Sequence, residues 1–367
     1  MLSRMKFDID RWVNLSLDQF PNSVWTSDST VFFDPAMGGG QFVKEIERRL
    51  KAAGHEDANI RKRVFGFENN LLKVKSTVNK HKLVGQYAVK PYDKFFEMGQ
   101  IMSGMIVVGN PPYNDGTASR TPIYDLFLEK LNKNSPRNLT YIIPSNWFSQ
   151  SHTKLGKDVR NYLRSLGVYK IQVNPVDLFE GVTVGTCTVF CEKGRNGKVQ
   201  LVSADGKNQF EIDNFEEQII AEFDPVSRNL LTRLRPKKPF VTYAGGKFDT
   251  DRWRIMTSYR KERFDLEPLN PLKVFEPDYE SQSGYRAFAS FASKKEAEDN
   301  LVRYKSFWHS KLIKFIMRKT RTSTTLDNPQ LFWVPVIDID REFTDEYLYE
   351  IFDLTDEEIK RVEDDNR

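Results

Sequence analysis

This sequence predicts an α/β fold: a doubly wound, mostly parallel sheet with a second domain after it. Three observations carry the expectation. Met105 to Gly109 is an apolar, β-branched run that stops at Asn110-Pro111-Pro112-Tyr113. Thr30 to Phe33 is another apolar run, followed by Asp34-Pro35-Ala36-Met37-Gly38-Gly39-Gly40 and a helical pattern. Val64-Phe65-Gly66-Phe67 is a third, closing on Glu68, 34 residues beyond Asp34. Strands alternating with helices at this spacing indicate strand–helix–strand units and therefore parallel pairing.

Residues 1–30 read as helical and then turn-like, with Pro21-Asn22-Ser23 as the break. After the first strand, Phe42, Ile46 and Leu50 recur at helical spacing, and Gly54 suits the helix end. Gly38 and Gly40 let the backbone approach a ligand, and the following helix offers free N–H groups at its start. No lysine follows as in a P-loop, so a nucleoside triphosphate fits poorly. Glu68, at the end of the second strand, can accept hydrogen bonds from both hydroxyls of a ribose. Together these features point to an adenosine-containing cofactor; taken singly, each is also compatible with a tight turn or a solvated strand end. Asp93, in Tyr92-Asp93-Lys94, closes a third candidate strand.

Met105–Gly109 is the fourth strand. Proline has a fixed φ and no N–H for a sheet ladder, so Pro111 and Pro112 end it. The product is a stiff loop at the carboxyl end of a strand, the edge at which open α/β sheets bind ligands. An amide, free carbonyls and an aromatic ring held there suit a planar molecule bearing an amine. Val168–Val173 and Gly185–Glu192 read as later strands. A domain boundary is expected near 200–225, which divides the chain into 1–222 and 223–367.

At 367 residues with 39% hydrophobic and 13% aromatic content, the chain can bury real cores. Two cysteines, Cys187 and Cys191, make no secreted disulfide framework, and four scattered histidines show no metal spacing. No metal is expected. No apolar run approaches the length of a membrane span, and the N-terminus has no signal-like apolar region, so a cytoplasmic protein is expected. The net charge of +4 is unevenly spread: residues 226–335 hold 22 Lys+Arg against 12 Asp+Glu, and residues 336–367 hold 4 against 13. A basic, aromatic-rich segment before an acidic tail suits a polyanion such as nucleic acid, though a solvated charged surface reads the same way. Lys311–Arg321 within it reads as a basic helix with its cations outward.

The order Asp-Pro-Ala-x-Gly-x-Gly-x-Phe at 34–42, then Asn-Pro-Pro-Tyr 76 residues on from Asp34, resembles the S-adenosylmethionine-dependent N6-adenine DNA methyltransferases. Cofactor loop first and Asn-Pro-Pro-Tyr second resembles the gamma-type members found in restriction–modification systems. Pro122–Phe127, Tyr141–Phe148 and Asp177–Val182 resemble further family segments, as does the stretch from Phe291 to Pro335. Met37 and Gly39 depart from the usual loop residues but keep the glycine frame, and Lys94 interrupts the pattern at Asp93. The N-terminal cofactor segment of this type is not recognisable in residue detail.

The resemblance implies a seven-stranded, Rossmann-like catalytic domain and a C-terminal target-recognition domain. It implies that Asp34, Pro35, Ala36, Gly38, Gly40, Phe42, Glu68, Asp93 and Asn110 bind S-adenosylmethionine. Asn110, Pro111, Pro112 and Tyr113 would carry catalysis, and Tyr113 and Phe179 would hold a flipped-out adenine. The implied partner is double-stranded DNA, met by a monomer, with a cognate restriction endonuclease beside it in a bacterial cell or phage-infected host. N4-cytosine methylation, methylation of RNA or of a protein glutamine, and an inactive DNA-specificity module stay open as alternatives.

Overall fold

Residues 1–218 and 219–367 form two units in the computed structural model. It describes residues 9–91, 104–117, 121–148, 154–175, 178, 185–212, 222–236, 243–244, 251–258, 269–279, 285–320 and 333–366.

The first unit is built on one sheet. Its strands are β1 (Phe32–Asp34), β2 (Val64–Glu68), β3 (Gln86–Val89), β4 (Ile106–Gly109), β5 (Asn138–Pro144), β6 (Val168–Val173), β7 (Thr186–Glu192), β8 (Val199–Val202) and β9 (Gln209–Ile212). They lie in the order β3-β2-β1-β4-β5-β7-β6-β8-β9. Pairing is parallel from β3 through β5, and β7 runs antiparallel to both β5 and β6. The sheet therefore holds the seven strands expected, plus the β8–β9 hairpin beyond β6. From β1 the chain steps outward to β2 and β3, then returns to place β4 on the other side of β1. That reversal opens a crevice at the carboxyl ends of β1 and β4.

Sequence explains the layers around the sheet. Ile106, Val107 and Val108 of β4 are fully buried, as a strand covered on both faces requires. Helix α1 (Ile9–Leu17) leads the chain, followed by α2 (Asn22–Thr26), α3 (Gln41–Ala52), α4 (Asp57–Arg61) and α5 (Leu71–His81). After β4 come α6 (Tyr124–Asn134) and, beyond β5, α7 (Lys154–Ser165). Phe42, Ile46 and Leu50 of α3 are buried together with Trp12, Val13 and Leu17 of α1 against Phe32, Val64 and Ile106. The third strand ends at Val89, before Asp93, which lies outside the described residues, as does Phe179.

The second unit has its own core. Helix α8 (Pro225–Leu234) precedes β10 (Tyr243–Ala244), β11 (Trp253–Ser258), β12 (Lys273–Phe275) and β13 (Tyr285–Phe291), an antiparallel sheet in the order β10-β13-β11-β12. Helices α9 (Lys294–Trp308), α10 (Lys311–Thr320), α11 (Asp345–Ile351) and α12 (Asp356–Asp365) follow. Leu230, Ile255, Trp308, Phe315, Leu348 and Val362 meet in the core. Thr355 and Glu358 close a capping box at the start of α12.

The basic stretch of α10 does not simply face solvent. Lys311 bonds Glu363 at 2.7 Å, Arg318 bonds Asp365 at 3.0 Å, and Lys319 lies 3.2 Å from both Asp365 and Glu222. Arg233 of α8 likewise pairs with Glu358, and Arg361 with Asp224. The acidic end of the chain is thus a structural counterpart of α10 and α8. Arg254 and Arg286, two cations of the basic, aromatic-rich segment, are buried within the sheet at 2% and 6% exposure.

Candidate active site

The glycine loop is held to the sheet by its own backbone. Met37 N–H donates to Phe67 O at 2.8 Å, and Ala36 N–H donates to Asp34 Oδ1 at 3.0 Å. Gly38 and Gly40 have φ of +55° and +79°, the left-handed region that favours glycine. At Gly40 a methyl group would also lie 2.5 Å from Thr77 Cγ2, so α3 can start there only with glycine in place.

Glu68 is 2% exposed and ties this loop to β2. Its Oε2 accepts the Gly38 N–H at 3.1 Å, while Oε1 accepts the N–H groups of Asn69 at 3.0 Å and Asn70 at 3.3 Å. Lys73 Nζ stands 3.6 Å from Oε2. Glu68 is not among the residues lining the cavity described below; here it anchors the loop that is.

Asp34 is also 2% exposed. Burial pushes its carboxyl up to about 7; the Ala36 N–H works against this and the Glu68 carboxylate reinforces it. The end of β4 passes against it. A methyl group at Gly109 would lie 2.8 Å from Asp34 Oδ1 and 3.1 Å from Tyr141 Cε2, so the glycine before Asn110 is what lets the two strand ends meet.

A cavity of about 420 Å³ opens at this meeting point. Asp34, Ala36, Met37, Gly38, Gly39, Gln41 and Phe42 form one wall; Asn110 and Ile142 come from the ends of β4 and β5. Ile9, Val13, Lys73 and Leu178 complete it. Of the expected site residues, the structure brings Asp34, Ala36, Gly38, Phe42 and Asn110 to one cavity. Pro35 and Gly40 are buried in the same loop, and Pro111 is buried beyond Asn110. Ile9, Val13, Gln41, Lys73, Ile142 and Leu178 were not anticipated. Ile9 and Val13 sit one helical turn apart with Trp12 beside them, a pattern that marks an inward face but not what the face covers.

Asn110 Oδ1 is buried and has no hydrogen-bond partner among the described residues. The other end of the same amide supplies a donor to the Tyr113 side chain. Burial raises the Tyr113 phenol above its ordinary range and that donor opposes the rise, so the hydroxyl stays protonated. The end of β5 is secured nearby. Tyr124 donates to Asn146 Oδ1 at 3.1 Å, and Arg160 Nη2 donates to Phe148 O at 2.9 Å with its guanidinium 5.4 Å from the Trp147 ring. Among the described residues no group of histidine, cysteine and carboxylate side chains could hold a metal ion, and no helix is long and apolar enough to cross a membrane.

Residues 49–172 match the family model of the Eco57I restriction-modification methylases. The matched segment runs from α3 through β2, β4 and the Asn110–Tyr113 loop to β6. No curated protein matches the chain in sequence. Among solved structures, the type IIG restriction endonuclease BpuSI is 16% identical at a TM-score of 0.43, covering 54% of this chain and 26% of its own. A type I methyltransferase subunit from Streptococcus thermophilus is 14% identical at 0.41, covering 56% and 48%. The EcoKI M protein is 14% identical at 0.43, covering 86% and 73%. The chain thus spans about a quarter of the length of BpuSI and about half that of the Streptococcus subunit.

Proposed function

We propose that this chain is an S-adenosylmethionine-dependent DNA methyltransferase acting on the N6 amine of adenine. One observation carries the reading: a buried asparagine oxygen with no partner among the described residues, at the end of β4, in the wall of a cavity that also presents the Asp34 carboxyl and the glycine loop. Orphaned buried acceptors are rare, and one placed in a binding cavity invites a donor from a ligand.

The residues present fit the cofactor. The cavity combines an acidic group, backbone N–H groups at a helix start and apolar walls from Ile9, Val13, Phe42 and Leu178. Asp34, Ala36, Gly38 and Phe42 would hold it, with Pro35 and Gly40 shaping the loop. Glu68 would bond the ribose by turning from its loop contacts, and Asp93 is proposed for the same site on its sequence position. When bound, the cofactor supplies an electrophilic methyl group.

The chain supplies the positioning. An exocyclic amine conjugated with its ring is a weak nucleophile. The Asn110 oxygen and the Pro111 carbonyl, held rigid by Pro112, would accept its two hydrogens and stabilise positive charge developing on nitrogen. No histidine or cysteine nucleophile is required. The target amine lies inside a duplex, so the base must be extruded, and Tyr113 with Phe179 would stack on it. We assign DNA recognition to residues 223–367. A cognate nuclease partner and a monomeric state belong to the same proposal, and DNA as substrate implies a cytoplasmic site of action.

The test is methylation of unmethylated genomic DNA with labelled S-adenosylmethionine, followed by nucleoside mass spectrometry. N6-methyladenine is expected. N4-methylcytosine would move the assignment to the other base, and label in RNA or protein but not in DNA would refute it.

A further inference from the structure

Outside the cavity, four buried side chains form one directed chain of hydrogen bonds. Trp12 Nε1 donates to Thr188 Oγ1 at 3.0 Å, and the Thr188 hydroxyl donates to Asn174 Oδ1 at 2.8 Å. Asn174 Nδ2 donates to Thr186 Oγ1 at 3.0 Å, and its backbone N–H donates to Thr186 O at 3.0 Å. All four residues are at most 4% exposed.

The chain joins two parts of the cavity wall that are far apart in sequence. Trp12 adjoins Val13 and lies one turn from Ile9, both in the wall contributed by α1. Asn174 precedes Pro175, whose carbonyl accepts the N–H of Leu178 at 3.2 Å, and Leu178 lines the same cavity. Thr188 on β7 is where the two meet. Lys44 and Arg49 of α3 bond Asp10 and Asn14 of α1, and the Trp12 bond fixes the buried side of the same helix to β7. Any other setting of the tryptophan leaves its buried N–H without this acceptor, while the Thr188 hydroxyl keeps its bond to Asn174.

We propose that Trp12, Thr188 and Asn174 are positioning residues of the cofactor site. They fix the spacing between the α1 wall and the Leu178 wall, and none of the three lines the cavity. The inference rests on the reading of that cavity as the S-adenosylmethionine site.

Thr188→Val keeps the side chain's shape and removes the hydroxyl, stranding Trp12 Nε1 and Asn174 Oδ1 together. By calorimetry, Kd for S-adenosylmethionine and for S-adenosylhomocysteine should rise about tenfold, which is 1.4 kcal/mol. At saturating cofactor, kcat on genomic DNA should stay within about twofold. Thr188→Ser should restore wild-type affinity. Trp12→Phe, which removes only the donor, should weaken binding in the same sense, and the double variant should be no weaker than the worse single, as one shared chain requires. If Thr188→Val does not fold, Trp12→Phe decides alone. Unchanged Kd in the folded variants, or a fall in kcat with unchanged Kd, overturns the proposal. Failure of the wild-type protein to bind either ligand would instead refute the cofactor reading beneath it.

Discussion

Asp34 has almost no contact with solvent and one backbone donor, and its carboxyl titrates at about 7 against 3.8 for an ordinary aspartate. The folded state therefore holds this proton longer than the unfolded chain does. Its contribution to stability is most favourable below pH ~4 and is lost as pH rises through about 7. Asp34→Asn keeps the shape and removes the titration. Melting temperatures measured from pH 4 to 8 should show wild type losing ground to the variant as pH rises; parallel curves would exclude the raised carboxyl. Asn110 is the second decisive residue. Asn110→Ala removes the orphaned oxygen without disturbing the Asp34 wall, so methyl transfer should collapse while cofactor affinity holds. A purified variant keeping more than about a tenth of the wild-type rate has lost no more than about 1.4 kcal/mol of transition-state stabilisation, too little for the role assigned.

At the scale of elements, the site is made by strand ends and the loops that leave them. β1 and β2 are short, yet each ends on a carboxylate, and the loop between β1 and α3 is fastened to β2 through Glu68. Glu68→Ala should release Gly38 and also remove the acceptor proposed for the ribose. Cofactor binding should weaken by roughly 1.5–3 kcal/mol, the scale of hydrogen bonds to a charged group; unchanged calorimetric affinity would take Glu68 out of the site. Much of this was legible in the sequence. Glycine, proline and strand-terminal acid are local signals, so β1, β2, β4 and the loop after β4 could be placed from neighbouring residues alone. Two things were not legible. The β8–β9 hairpin has strands of only four residues each, Val199–Val202 mostly buried and Gln209–Ile212 mostly exposed, too short for a period to show. The covering of the cavity by Ile9 and Val13 depends on how α1 packs against α3 and β7, and the Trp12–Thr188 bond spans 176 residues of sequence.

For the whole molecule, the sequence suggested a basic module followed by an acidic tail, and the structure gives the charges another use. Lys311, Arg318 and Lys319 are matched by Glu363, Asp345, Asp365 and Glu222 across side chains that are 42%, 21% and 20% exposed on the basic side. A cation already neutralised by a carboxylate releases no counterion when DNA arrives, so these three should contribute little to salt-dependent affinity. The 367-residue chain should still bind DNA with a steep dependence on salt, carried by other lysines and arginines. Changing Lys311, Arg318 and Lys319 together to glutamine should leave the slope of log K against log salt unchanged. It should lower stability by about 1–2 kcal/mol, the sum expected of three partly exposed ion pairs. DNA titrations at several salt concentrations, run beside chemical denaturation of the same variant, separate the two effects. A slope reduced by about three with stability intact would mean that α10 faces phosphate rather than α12, and that the acidic helix yields to DNA.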